Sequence, residues 1–361
     1  MKFLMKTSLA LALLLAMVTS SFAAEKTFNW RLASVWGEGL VMLESEREFA
    51  KKVEAMSGGR LKIKVFPAGQ IGPTNQVFDL VRSGAVEMGA DWAGYWTGKN
   101  TAFDLLGSHV MGFTPLDHAI WMYAGGGKQF YDELFGSHGI VYFPHHMADQ
   151  ESGIRSNKPI TTVDDLKGMK IRMGNFIPGK VIQVFGGQPV SMASDDIYES
   201  IQRGVVDGCE MNMPLADYHA KLHEVAKYWL TPGWHQTQSL DGILINKKKW
   251  DELPDDLKAI VEVAAQAQFL QSLCTTTYGS IDATAKMLES GVITHRLSDE
   301  DLERIELARN AVFEEMAKEN PDFARVLNHI IAFDKKMASY RENARPWSFG
   351  RTWKHYPNIP Q

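Results

Sequence analysis

The chain has 361 residues, 45% of them hydrophobic, and its 38 Lys and Arg against 43 Asp and Glu give a formal charge of −5 at pH 7. At roughly 100 to 200 residues per domain this length implies two domains, and the acidic balance argues against nucleic acid and anionic lipid surfaces as partners. Two cysteines, Cys209 and Cys274, exclude a disulfide framework and give no zinc-ligand spacing, while a single bridge between them stays open.

The chain begins as a secretory leader. Lys2 and Lys6 precede the apolar run Leu9 to Val18, and Ser21-Phe22-Ala23 makes a small-x-small cleavage site, so residues 1–23 read as a signal peptide. The run falls well short of the roughly 20 apolar residues that span a bilayer. The mature chain is therefore expected in the periplasm of a Gram-negative cell.

Residues 28–35 alternate as a strand does, and Gly37 and Gly39 break the pattern before a helix from Met42 to Met56. Leu61 to Phe66 alternates apolar and basic residues up to Pro67, the clearest strand in the chain. The segment VFDLVRSGAVEMG at 77–89 follows, and 120 positions later IYESIQRGVVDGC at 197–209 repeats it. Apolar meets apolar at Val77/Ile197, Val81/Ile201 and Val86/Val206, acid meets acid at Glu87/Asp207, and Gly84 matches Gly204. Each copy predicts a helix, a left-handed glycine stop and a strand. One copy in each half suggests two similar α/β lobes, with a cleft between them suited to a small ligand.

The second series runs Ile154 to Ser156, a turn at Pro159, a short helix Val163 to Leu166, a strand Met169 to Met173 and a helix Lys180 to Phe185. A strand at Leu240 to Asn246 is placed to cross back into the first lobe. Helical periodicity then holds from Asp255 to Ser290 and from Ser298 to Arg341, with Ser298 as N-cap and Pro321 as a divider. The tail 345–361, carrying Trp347, Phe349, Trp353 and Tyr356, suggests docking onto another surface, its own lobe or a second subunit.

No nucleophile elbow, phosphate loop or metalloprotease motif is present in the sequence. Gly125-Gly126-Gly127 reads as a helix terminator, and His145-His146 has no third metal ligand at helical spacing. Arg172 is the candidate with chemistry. An arginine near the end of a parallel strand can point into the interlobe crevice, where its planar fork suits a carboxylate. The segments after the two repeat copies should face the same crevice: Asp91 to Trp96, rich in rings, and Glu210 to Pro214, which opens on a carboxylate.

LKGMKIRM, GGQPVSMASDDIYESIQRGVVDGCE, AGQIG at 68–72 and the secretory start together resemble the DctP-like solute-binding proteins of tripartite ATP-independent periplasmic (TRAP) transporters. Tyr95-Trp96-Thr97-Gly98-Lys99, Tyr123 with its glycines, and Pro232-Gly233-Trp234 look most like the branch that binds 2-oxo acids and related monocarboxylates. The resemblance implies an α/β, two-lobed periplasmic binding protein fold with a hinge, an interlobe cleft and long C-terminal helices. It divides the chain into lobe 1 (24–149 with 237–277), lobe 2 (150–236 with 278–320) and a dimerisation element at 321–361.

The same resemblance implies a receptor, not an enzyme, that passes its solute to a membrane permease. Arg172 would pair with the solute carboxylate, with Gln150, Glu210, Tyr95, Trp92, Asn212 and Trp234 around it. A cation beside the ligand would be held by Gln150, Glu210, the Met211 carbonyl and Gln236. His235-Gln236 stands where the branch has a second acidic ligand, so sodium, or no metal with Glu210 bonding the ligand directly, fits this set better than calcium, which favours more carboxylates. Met211, His235 and Trp92 would reshape the pocket. Two other functions fit the same chain: an enzyme using Glu210 or His235 as a base, and the receptor of an ATP-driven importer.

Overall fold

A computed structural model describes residues 26–344. The leader 1–23 and the aromatic tail 345–361 lie outside the described residues.

Two sheets organise the chain. The first holds β1 (Phe28–Ser34), β2 (Leu61–Phe66), β3 (Met88–Trp92), β4 (Ile140–Ala148) and β10 (Ser239–Asn246), in the order β2-β1-β3-β10-β4. The second holds β5 (Ile154–Ser156), β6 (Lys170–Arg172), β7 (Gln188–Val190), β8 (Gly208–Cys209), β9 (Tyr228–Thr231) and β11 (Ile293–Arg296), in the order β11-β9-β5-β8-β6-β7. β1 pairs parallel with β2 and β3, and β6 pairs parallel with β7 and β8, as crossover helices require. β10 runs antiparallel between β3 and β4, so the chain leaves the second sheet and returns to complete the first.

The two repeat copies fold alike and then diverge. Helix Val77–Ser83 stops at Gly84 with φ +78°, and helix Ile197–Gln202 stops one residue before Gly204 with φ +70°. The first copy feeds the five buried residues of β3, the second only the two of β8. The glycine run separates helices Pro115–Tyr123 and Lys128–Gly136. β4 escapes periodicity because it is buried along nearly its whole length and carries Pro144, where its pairing with β10 is irregular. His145 and His146 lie on it, both buried.

Helix Asp255–Glu289 has 35 residues, about 50 Å at 1.5 Å per residue. It packs on β4 and helix Val41–Met56 of the first lobe and on helix Pro214–His219 of the second, so one rigid element spans both. Ser298 caps the next helix by accepting from the Asp301 amide at 3.1 Å, and Pro321 opens the last, Pro321–Ala344. Cys209 is buried, Cys274 is exposed and both are free thiols.

Candidate functional site

Between the sheets lies a small cavity of about 20 Å³, lined from the second lobe by Arg172, Gly174, Asn175, Glu210 and Met211. Trp36, Met42, Trp92, Tyr95 and Ser239 close it from the first lobe. That is space for about one water.

Arg172 ends β6 and Glu210 follows β8, so both sit at the carboxyl edge of neighbouring parallel strands, where ligands of open α/β sheets bind. Both are buried. Arg172 Nη1 donates to the Glu210 carboxylate and to its backbone carbonyl, each at 2.9 Å, and Nε donates to the Met192 carbonyl at 3.3 Å. Nη2 has no hydrogen-bond partner among the described residues, and the side chain lines the cavity. The Gly174 amide donates to the same Glu210 oxygen as Nη1.

A second carboxylate meets the first. Glu151 Oε2 and His235 Nε2 are 2.8 Å apart, and His235 Nε2 is 3.9 Å from Glu210 Oε2. Burial pushes the Glu151 carboxyl well up, reinforced by the Glu210 charge, and holds His235 down at about 4. Burial therefore disfavours charge on both members of the pair. One ligand atom each from Glu151, Glu210 and His235 fall within 4.8 Å of one another. Gln236 and Met211 also line the cavity, so two carboxyls and an amide oxygen, the ligand type of a hard cation, meet beside an imidazole.

The first-lobe wall is aromatic. Trp92 ends β3, and its Nε1 donates to the Gly107 carbonyl at 3.1 Å. Its ring lies where a Cβ on Gly94 would sit, 1.8 Å from that position, so glycine is required for the turn Ala93–Trp96 to fold under it. Tyr95 contacts both Trp92 and Trp36, with ring centroids 5.3 and 5.9 Å apart. Behind them Asp91 is fully buried and accepts from the Trp96 indole, and burial raises its carboxyl to about 8.

Of the expected residues, Arg172, Glu210, Met211, Asn212, Gln236, Trp92 and Tyr95 come together at this cavity. Gln150 does not: it is exposed at a bend, and the next residue, Glu151, lines the cavity in its place. The cation set inferred from Gln150 changes accordingly, and with Glu151 it gains the second carboxylate that argued against calcium when missing. Trp234 is buried beside His235 but does not line the cavity. Sequence reasoning missed Trp36, Asn175 and Ser239. Trp36 and Asn175 each follow a strand end, the position that singled out Trp92 and Glu210.

Two lobes with a charged cleft between them define the class: a solute-binding protein. Residues 32–320 match the DctP family, bacterial extracellular solute-binding protein family 7, and the chain belongs to that family. A Nostoc sp. protein described as a monocarboxylate 2-oxoacid-binding periplasmic protein is 28% identical over 312 residues, 86% of this chain and 85% of its own. A TRAP transporter solute-binding protein from Bordetella bronchiseptica, solved as a dimer with copurified calcium and picolinate, superposes with a TM-score of 0.85 at 27% identity, covering 89% of this chain and 95% of the other. One from Pseudoalteromonas atlantica with bound sodium and pyruvate gives a TM-score of 0.84 at 27% identity, covering 88% and 97%.

Proposed function

We propose that this chain is the periplasmic receptor of a TRAP transporter, binding a small 2-oxo acid or related monocarboxylate in the cleft and delivering it to the membrane permease. The observation that carries the reading is Arg172, a buried guanidinium that spends Nη1 on Glu210 and keeps Nη2 for a ligand. Charge-assisted hydrogen bonds of this kind contribute roughly 1.5 to 3 kcal/mol each. Tyr95, Trp92 and Trp36 supply the apolar wall for the rest of the solute. Lobe 1 (24–149 with 237–277) closes over a solute anchored by lobe 2 (150–236 with 278–320).

A cation accompanies the ligand in this reading. Glu151, Glu210, His235 and Gln236 would hold it, with the Met211 carbonyl, and its charge would offset a solute carboxylate entering beside two acids. The relatives with sodium and pyruvate or with calcium and picolinate support the arrangement. The leader 1–23 supports export by cleavage, and segment 321–361 is the element proposed to form a homodimer.

The deciding measurement is a thermal-shift screen of the mature protein against small carboxylates, because a ligand at about 100 times its dissociation constant stabilises by about 2.7 kcal/mol. Pyruvate or a longer 2-oxo acid is expected to raise the midpoint, and no shift with any carboxylate overturns the reading. Turnover of a confirmed ligand would favour the enzyme alternative instead.

A further inference from the structure

Helix Phe176–Val184 belongs to the second lobe, where it packs on β7 and on helix Asp299–Glu319. The first N–H groups of any helix lack partners within it and need an outside acceptor. The N-cap here, Asn175, makes no side-chain cap. Its Nδ2 donates instead to Ser108 Oγ at 3.3 Å and to the Gln236 side chain. The acceptor comes from the other lobe: Asp104 Oδ2 receives the Phe176 amide at 3.2 Å and the Ile177 amide at 3.4 Å.

Asp104 sits on helix Ala102–Gly107, packed against the turn that carries Tyr95 and against helix Pro321–Ala344. It is 1% exposed, buried between the lobes. Two residues before the capped amides, the Gly174 amide donates to Glu210, and Gly174 and Asn175 both line the cavity. Four consecutive residues, 174 to 177, therefore join the charged anchor of one lobe to a carboxylate of the other.

We propose that Asp104 is an interlobe clasp, a first-lobe carboxylate that caps the second-lobe helix Phe176–Val184 and holds the lobes closed over the cleft. An acid at a helix start is favoured by the helix dipole as well as by the two amides. Parting the lobes returns both partners to water, so the clasp exists only in the closed arrangement. It rests on cross-lobe geometry and not on which solute is bound.

The test is hydrogen exchange of the Phe176 and Ile177 amides in the ligand-free mature protein, read alongside its radius of gyration. Asp104→Ala is expected to speed exchange at these two amides by about tenfold to a hundredfold, the worth of a hydrogen bond to a charged group, and to enlarge the protein. Asp104→Asn keeps an acceptor oxygen but loses the charge, so it should fall between wild type and Asp104→Ala. Equal protection and equal size in a folded Asp104→Ala variant would overturn the clasp.

If that variant does not fold, Phe176→Pro serves. It deletes one donor at the first helical position, where proline is tolerated, and Asn175 at φ −107°, ψ 142° already has the extended backbone proline requires. The variant should be larger than wild type without ligand, and an unchanged radius overturns the proposal. Pyruvate calorimetry on the wild type separates the two readings: absence of binding counts against the proposed ligand, while the exchange and size measurements still decide the clasp.

Discussion

Glu210 on one wall of the cleft and Asp91 and Glu46 on the other are buried in opposite ways. On the second-lobe wall Glu210 is ion-paired to Arg172 at 2.9 Å and also accepts the Gly174 amide. On the first, Asp91 and Glu46 are buried without any cation, and burial raises both carboxyls, Asp91 to about 8 and Glu46 well above its ordinary range. One wall therefore carries an ion pair for a ligand to meet, whereas on the other burial disfavours charge behind a face of aromatic rings. The contrast assigns anchoring to the second lobe and coverage to the first.

The contrast breaks most directly at the anchor. Arg172→Ala removes the only cation lining the cavity among the described residues and leaves Glu210 without its partner. Affinity for pyruvate should fall at least about a hundredfold in calorimetry, the worth of about 3 kcal/mol in charge-assisted bonds. Unchanged affinity would show that the second lobe does not anchor. Glu151→Gln is the next largest. It keeps the shape and a hydrogen bond to His235 but removes a cation ligand, so binding should weaken about tenfold in sodium or calcium buffer and lose its dependence on either ion. An identical affinity for wild type after exhaustive chelation and in sodium-free buffer would remove the cation from the mechanism.

Much of this was legible in the sequence because the informative residues lie in chain-local patterns. The repeat placed the segments holding Trp92 and Glu210 after matching strands, and the strand read at Met169 to Met173 placed Arg172 near its end. Other features depend on contacts between distant segments. Glu151 reaches the site because segments 149–153 and 232–238 pass side by side, with its amide bonded to the Gln236 carbonyl at 3.1 Å. No spacing rule records that, and the neighbouring Gln150 looked as eligible. Asp104 was invisible for the same reason, since its partners are 72 and 73 residues away on another lobe. β4 hid behind continuous burial and Pro144, which erase the period of two that reveals a strand.

The first wall is sharpened by smaller effects. Tyr95→Ala trims an aromatic that is 39% exposed and lies against Trp92 and Trp36. Its loss should weaken binding only a few-fold, as expected for partial burial at about 25 cal/mol per Å². A loss as large as that of Arg172→Ala would make the first lobe an anchor too.

The smallest effect tests the neutral state of that wall through pH. Asp91 titrates at about 8 in the folded chain, against an ordinary value of 3.8, because burial disfavours its charge. A carboxyl with a raised folded value binds a proton that the unfolded chain has already lost, so it favours the folded state at low pH. That contribution is complete below about pH 4 and disappears as pH rises through 8. Between pH 6.5 and 8 the loss from Asp91 alone amounts to about 1.5 kcal/mol. Asp91→Asn keeps an oxygen for the Trp96 indole and removes the titration, so denaturant unfolding should show wild type losing stability over this interval by about that much more than the variant. Taking the difference between the two proteins cancels Asp104, which burial raises to about 7, and other groups that do not feel the Asp91 charge, while Glu46 and Asp241, which do, shift with it. Parallel curves would mean that Asp91 is ionised in the fold, and the first wall would then carry charge like the second.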